Sequence, residues 1–309
     1  MRILIELPTW MGDTLMAIPA INNILKFHYN SRVTVIGSPI SIEILKQHSQ
    51  IENFIILNKK YFSLLEVSKK IGKFDIFFSL RGAFRSRIFK LLIASDEKYQ
   101  YNKNKYKKNH QVEKYNHFIN DCLKSNLSPG AISFNSNFKP PLRYKRKIIG
   151  INPGASYGSA KRWYPEKFAE VAIKLSPHYD ILIFGGLDEQ DIASDIEQVF
   201  LKNGVLNYQN LAGKTSIPDL IDYISNLALF ITGDSGPMHI AASLEIPTVS
   251  IFGPTNDNET SQWMNNKNII IKKSLDCQPC MKRTCPLVHH NCMKMINSKD
   301  VLDAIEIIN

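Results

Sequence analysis

Between Phe230 and Thr255 the chain reads FITGDSGPMHIAASLEIPTVSIFGPT. An apolar run ending at Thr232, a break at Gly233-Asp234-Ser235-Gly236, apolar residues at helical spacing through Met238, Ile240, Ala241 and Leu244, and a second apolar run after Pro247 predict strand, tight turn, short helix and strand. A helix begun at Ser-Gly turns its first backbone N–H groups toward the turn, where the helix dipole favours negative charge. Such a turn suits a phosphate, with His239 in the first helical turn as a further donor. The same Asp234-Ser235 pair would serve equally well as a plain cap on a buried helix.

This order recurs. Arg2 to Leu7 is a short strand, Pro8-Thr9-Trp10-Met11-Gly12-Asp13-Thr14 a polar turn, residues 15–27 a helix and 33–37 a strand. A helical crossover makes the two strands parallel and places the Asp13 loop in the crevice at their carboxyl ends. Helices near 40–48 and 62–71 alternate with strands at 53–57 and 74–80, and Arg81, Arg85 and Arg87 begin the next loop-to-helix junction on the same side. From Lys98 to Tyr115 six lysines and four tyrosines stand against one glutamate. That composition suits either single-stranded nucleic acid or a solvated loop. Pro129-Gly130 and Lys139 to Lys147 mark an interdomain connection, after which the pattern restarts.

The second block has a strand at 148–151, a long loop carrying Ser156, Tyr157 and Lys161, a helix at 165–175, a strand at 179–184 and a turn with Asp188 and Glu189. A helix at 191–202, the loop Gly213-Lys214-Thr215, the opening stretch and a closing helix at 298–307 follow. Two such blocks predict an α/β fold of two Rossmann-like domains facing across a cleft, residues 1–143 and 144–309, with the closing helix free to return toward the first domain.

No run approaches eighteen apolar residues, and Met1-Arg2-Ile3-Leu4-Ile5 leads into a polar turn rather than a cleavage site, so the chain reads as cytoplasmic. Its net charge of +10 is uneven: residues 1–147 carry 25 Lys and Arg against 10 Asp and Glu, the remainder 13 against 18. The first block therefore faces something acidic. Neither a Walker A loop nor a G-x-G-x-x-G turn after the first strand is present, which removes the main support for an ATPase or a nicotinamide dehydrogenase. A nucleotide held by other loops, opposite a basic domain with a carboxylate at a strand end, suits transfer from a nucleotide-sugar. That chemistry needs a base for the acceptor hydroxyl and cations or N–H dipoles for the departing diphosphate. Asp13 is a candidate base, or alternatively the cap of the first helix.

PTWMGDTLMAIP, HQVEKY, NPGASYGSAKRWYPEKFAEVA, NLAGKTS, the GDSGPMHIAASLEIPTVSIFGPT stretch and CQPCMKRTCPLVHHNCM together resemble the ADP-heptose:lipopolysaccharide heptosyltransferases of glycosyltransferase family 9, and among them the enzymes adding the second heptose. The resemblance spans Arg2 to Ile307 and implies the two-domain GT-B architecture. It implies inverting transfer from ADP-heptose to the first heptose of a lipid A-Kdo-heptose acceptor, with no cofactor required. Asp13 is then the base, Lys161 the diphosphate contact, and Asp234, Ser235, Gly236 and His239 the phosphate and donor-sugar turn. Ser156, Tyr157, Gly213, Lys214 and Thr215 join the donor site, Asp188 or Glu189 meets the ribose, and Arg81, Arg85 and Arg87 are acceptor candidates. The acidic acceptor and an anionic inner-membrane face account for the charge split, and imply peripheral association worth roughly 1 kcal/mol per surface cation.

Cys277, Cys280, Cys285 and Cys292 have the spacing C-x2-C-x4-C-x6-C with His289 and His290 among them, which suits a structural zinc or buried neutral thiols. A rival from another class is a zinc-stabilised protein binding nucleic acid through Lys98 to Tyr115; the heptosyltransferase resemblance implies no nucleic-acid partner. A rival within the same class is a heptosyltransferase with a different acceptor.

Overall fold

The computed structural model describes residues 1–46, 48–58, 60–107, 109–133 and 146–308. The chain divides into two compact units, Met1–Ser136 and Asn137–Asn309. The expected boundary at 143/144 lies outside the described residues.

The first unit runs β1 (Arg2–Glu6), α1 (Met11–Phe27), β2 (Arg32–Gly37), α2 (Pro39–Leu45), β3 (Asn53–Ile56), α3 (Phe62–Lys70), β4 (Phe74–Ser79), α4 (Phe84–Leu92), β5 (Ser95–Gln100) and α5 (Gln111–Leu123). Its strands form one parallel sheet in the order β3-β2-β1-β4-β5. β1 and β2 are buried beyond their first residue, as strands covered on both faces must be. Helix α1 packs on α2 and α5, while α3 and α4 pack on each other over a core of Leu4, Ile36, Leu64, Phe77 and Phe89. The chain leaves β1 toward β2 on one side and returns to β4 on the other, so the order reverses between β1 and β4. Their carboxyl ends are the ligand-binding position of such a sheet.

Within the stretch from Lys98 to Tyr115 the described residues between 101 and 110 lie outside any helix or strand, and 102–105 and 107 are exposed, as the loop reading expects. Lys98, Tyr99 and Gln100 lie in β5, and Gln111 opens α5. Tyr101 packs with ring centroids 5.0 Å from Tyr115, 5.8 Å from Phe118 and 5.9 Å from Tyr106, and Tyr99 stacks on Phe78 at 5.5 Å. The four tyrosines are engaged in ring packing with one another, with Phe78 and with Phe118. Helix α5 begins with a capping box: His110 Nδ1 accepts from Val112 N at 3.2 Å, and Glu113 Oε2 from His110 N at 3.0 Å.

The second unit runs β6 (Lys147–Asn152), α6 (Pro165–Leu175), β7 (Tyr179–Ile183), α7 (Gln190–Lys202), β8 (Tyr208–Asn210), α8 (Ile217–Ser225), β9 (Leu227–Gly233), α9 (Gly236–Ser243), β10 (Thr248–Ile251), α10 (Asp257–Thr260), β11 (Asn268–Ile271), α11 (Asn291–Lys294) and α12 (Ser298–Ile308). The six strands are parallel in the order β11-β10-β9-β6-β7-β8, reversing between β6 and β9. Edge strand β11 was not expected from sequence: NIIIKK is too short a run to separate from loop. Helix α12 packs against α6 and β11 of its own unit, with Val301, Ala304 and Ile305 in the core.

Central strand β6 is pinched at Gly150. A Cβ there would stand 2.6 Å from Leu227 Cδ1 and 2.8 Å from ring carbons of Phe184 and Phe230. A close-packed interior resists even one added methyl, so Gly150→Ala is expected to destabilise the chain by about 1–3 kcal/mol. Urea unfolding checks this, and an unchanged midpoint would refute the pinch.

Candidate active site

The reversal in the second sheet brings the loops after β6 and β9 together. Lys161 closes a short 3-10 turn (Ser159–Lys161) and its Nζ lies 2.7 Å from Asp234 Oδ2, with the two side chains only 11% and 5% exposed. Thr260 Oγ1 approaches the same Asp234 oxygen at 3.4 Å. Asn152 Nδ2 donates toward Ser235 Oγ at 3.2 Å and toward Thr232 Oγ1 and Gly154 O at 3.3 Å, and Thr232 and Ser235 hydroxyls are 3.1 Å apart. Asp234 and Ser235 therefore do not act as the plain cap their order allowed. Ser235 holds the N-cap position of α9 without a side-chain cap bond, and Pro237, near the helix start, brings no N–H. The backbone donors of the first turn are left for an anion beside the Lys161 ammonium. His239, one turn into α9, is buried.

The turn after β7 distinguishes its two acids. Asp188 is exposed, whereas Glu189 is buried, with Oε2 accepting from Gly186 N at 2.8 Å and Oε1 lacking a hydrogen-bond partner among the described residues. The Glu189 carboxylate lies so close to Gly154 that any Cβ there would collide with it. A buried acceptor without a partner is costly unless a ligand donor meets it. Gly213 adjoins this turn, its N donating to Gly185 O at 2.9 Å, and Thr215 is half-buried nearby in sequence. Lys214 is exposed and its Nζ donates to Asn210 O at 3.0 Å, so its ammonium does not join that of Lys161.

The cysteine segment braces the Lys161 loop. Tyr157 OH donates to Met281 O at 2.8 Å, Ala160 N to Arg283 O at 3.0 Å, and His290 Nε2 to Ala160 O at 2.9 Å. With Nε2 donating, His290 Nδ1 accepts from Tyr164 OH at 3.2 Å. Two cations flank the Tyr157 ring, Lys161 Nζ at 5.1 Å and Arg283 Cζ at 5.3 Å from its centroid. Ser156 is exposed beside them. Cys277, Cys280, Cys285 and Cys292 line one cavity of about 20 Å³ with His289 and His290. Burial, then the neighbouring Cys285, Cys280 and Cys277, pushes the Cys292 thiol up to about 11. Among the described residues no group of three or more His, Cys, Asp or Glu is arranged to hold a metal ion.

In the first unit Asp13 is half-buried in the first turn of α1 and does not cap it; the N-cap is Trp10. Its loop is fixed by α2: Ser38 Oγ donates to Thr9 O at 3.0 Å, Ser41 Oγ to Pro8 O at 2.5 Å, and Thr14 Oγ1 lies 3.1 Å from Ser41 Oγ. The phenol of Tyr115 is held well above its ordinary range, first by burial and then by the charge of Asp13. Across the reversal, Glu6 is fully buried, accepting from Ser79 Oγ at 2.5 Å and Ser86 Oγ at 2.8 Å, with Arg81 Nη1 at 3.5 Å. Burial raises the Glu6 carboxyl, against the opposing pull of these partners and of Arg85. Arg85 reaches back to Asn58 O and Lys60 O. The three arginines do not converge: Arg81 and Arg85 flank Glu6, and Arg87 stands exposed on α4.

Sequence reasoning missed Asn152, Thr232, Thr260, Arg283 and Glu6 as contributors. Only Glu6 carried a signal, a lone carboxylate ending the apolar strand RILIE. Across these sites the second unit presents a cationic, donor-rich turn and a buried carboxylate oxygen without a hydrogen-bond partner among the described residues, and the first a loop-held carboxylate.

Comparison with known proteins gives this geometry a family. The chain is 42% identical to lipooligosaccharide heptosyltransferase 2 of Campylobacter jejuni subsp. jejuni serotype O:2 over 98% of its own length and 97% of that protein. Its fold matches the structure of Escherichia coli ADP-heptose LPS heptosyltransferase II with a TM-score of 0.82 at 20% identity, covering 100% of this chain and 98% of that one. It also matches E. coli heptosyltransferase WaaC with ADP, with a TM-score of 0.75 at 15% identity and full coverage of both chains. The fold is therefore that of the GT-B heptosyltransferases. The model of glycosyltransferase family 9 (heptosyltransferase) matches residues 68–290, and with a relative this similar along nearly its whole length the chain belongs to that family.

Proposed function

We propose that the protein transfers a heptose from ADP-heptose to the first heptose of a lipopolysaccharide or lipooligosaccharide inner core. The observation that carries this reading is the Lys161–Asp234 ion pair at the uncapped start of α9, at the strand-order reversal of the second sheet. The donor diphosphate accepts from the first N–H groups of α9 and from Lys161, whose charge Asp234 holds in place. Glu189 Oε1 accepts from a ribose hydroxyl, which satisfies it. Asp13 takes the proton of the acceptor hydroxyl as that oxygen bonds to the anomeric carbon. The bond from that carbon to the phosphate oxygen breaks, its electron pair leaves with ADP, and the configuration inverts. Arg81, oriented by Glu6, meets an anionic group of the acceptor. The second heptose is favoured as the product because the 42% relative is a heptosyltransferase 2 and matches 98% of the chain.

Because such an acceptor is lipid-borne, the reading includes peripheral association with an anionic membrane surface. No helix among the described residues is long and apolar enough to cross a membrane.

Asp13→Asn keeps the shape of the loop and removes the base, so turnover is expected to fall about 10²–10⁴-fold while ADP affinity by calorimetry stays within error. Unchanged turnover would reject Asp13 as base. Lys161→Ala removes a charge-assisted contact, and ADP is expected to bind about 10–100-fold more weakly. Equal ADP affinity in that variant would move the diphosphate elsewhere. Assay with acceptors bearing no, one or two heptoses tests the acceptor: product should form only with one heptose present.

A further inference from the structure

Helices α3 and α4 pack on each other, and each carries an outward stripe that is exposed among the described residues. Phe62, Leu65 and Lys69 stand at i, i+3 and i+7 of α3; Phe84, Arg87 and Leu91 stand at the same spacing on α4. Three- and four-residue steps share one helical face, so each stripe is apolar at its start and mixed with a cation further along. Phe62 and Phe84 are 69% and 70% exposed, each at the first position of its helix. Arg85 fastens the two starts together by donating to Asn58 O and Lys60 O. Residues 60–91 hold eight Lys and Arg against two acids.

We propose that this two-helix face is where the protein docks on an anionic phospholipid bilayer, the two phenylalanines entering the headgroup boundary and the cations meeting lipid phosphates. Aromatic and aliphatic side chains laid beside cations are the composition of an in-plane membrane contact. A second copy is a poorer occupant, since two such basic faces repel. Both helices start at carboxyl ends of strands of the first sheet, and α4 begins directly after the Arg81 loop. A lipid-borne acceptor would thus meet its sugar site next to its own bilayer. The inference rests on the lipid-borne acceptor of the proposed function, and deepens it by naming the face.

Flotation of the full chain with phosphatidylglycerol-phosphatidylcholine vesicles and with phosphatidylcholine vesicles tests it. The wild-type chain should float with the first and lose binding in high salt. The double variant Phe62→Ser/Phe84→Ser should bind about tenfold more weakly or worse, because two large apolar side chains no longer enter the interface. Its turnover on a delipidated acceptor and its melting temperature should match the wild type. Leu187→Ser/Leu206→Ser, which removes exposed leucines of the second unit, should bind as the wild type does. If the double phenylalanine variant floats like the wild type, this face is wrong while membrane association stands. If the wild type floats with neither vesicle, both fail, and a phenylalanine-dependent dimer by ultracentrifugation would assign the face to a second copy instead.

Discussion

A nearly buried ammonium held 2.7 Å from a buried carboxylate is the contact on which the rest of the donor site depends. Such a pair gains little net stability over apolar residues, because both ions lose water on burial. Its value lies in position. Asp234 anchors Lys161 at the start of α9, where a diphosphate would have three sources of positive potential: the ammonium, the unpaired N–H groups and the helix dipole. With Asp234 removed, the ammonium would be free to leave the turn. With Lys161 removed, a buried carboxylate would face the incoming phosphates and repel them.

The parallel sheets explain why these groups meet. Each unit reverses its strand order once, and at each reversal two loops from distant sequence lie side by side. In the second unit the loops are those of Lys161 and Asp234, tied by Asn152 to Thr232 and Ser235. In the first they are those of Asp13 and Arg81, with Glu6 as the buried counterpart that orients an arginine. The cysteine segment adds a third support. By holding Tyr157 and both backbone groups of Ala160 it fixes the loop from which Lys161 projects. The four thiols line a small cavity beside those contacts, and burial pushes that of Cys292 up to about 11.

Much of this was legible in the chain alone. Strand, glycine turn and helix recur with enough regularity to show two doubly wound units, and the carboxyl-end rule then picks out the loops of Asp13, Lys161, Asp234 and Glu189 without coordinates. Pairing was not legible. That Asp234 serves Lys161 and not the helix depends on loops 73 residues apart, and no local pattern encodes it. The choice between Asp188 and Glu189 depended on which side of one turn faces Gly154. Nor did the alternation of Lys and Tyr between Lys98 and Tyr115 say that the rings pack inward, on Phe78 and Phe118, while Lys103, Lys105 and Lys107 stay exposed in a loop.

The most direct measurement of the central claim is a crystal structure of the protein with ADP. The account predicts the β-phosphate within hydrogen-bond distance of Lys161 Nζ and of the first backbone N–H groups of α9, with a ribose hydroxyl on Glu189 Oε1. ADP lodged away from α9, with the Lys161–Asp234 pair and Glu189 untouched by it, would contradict the account.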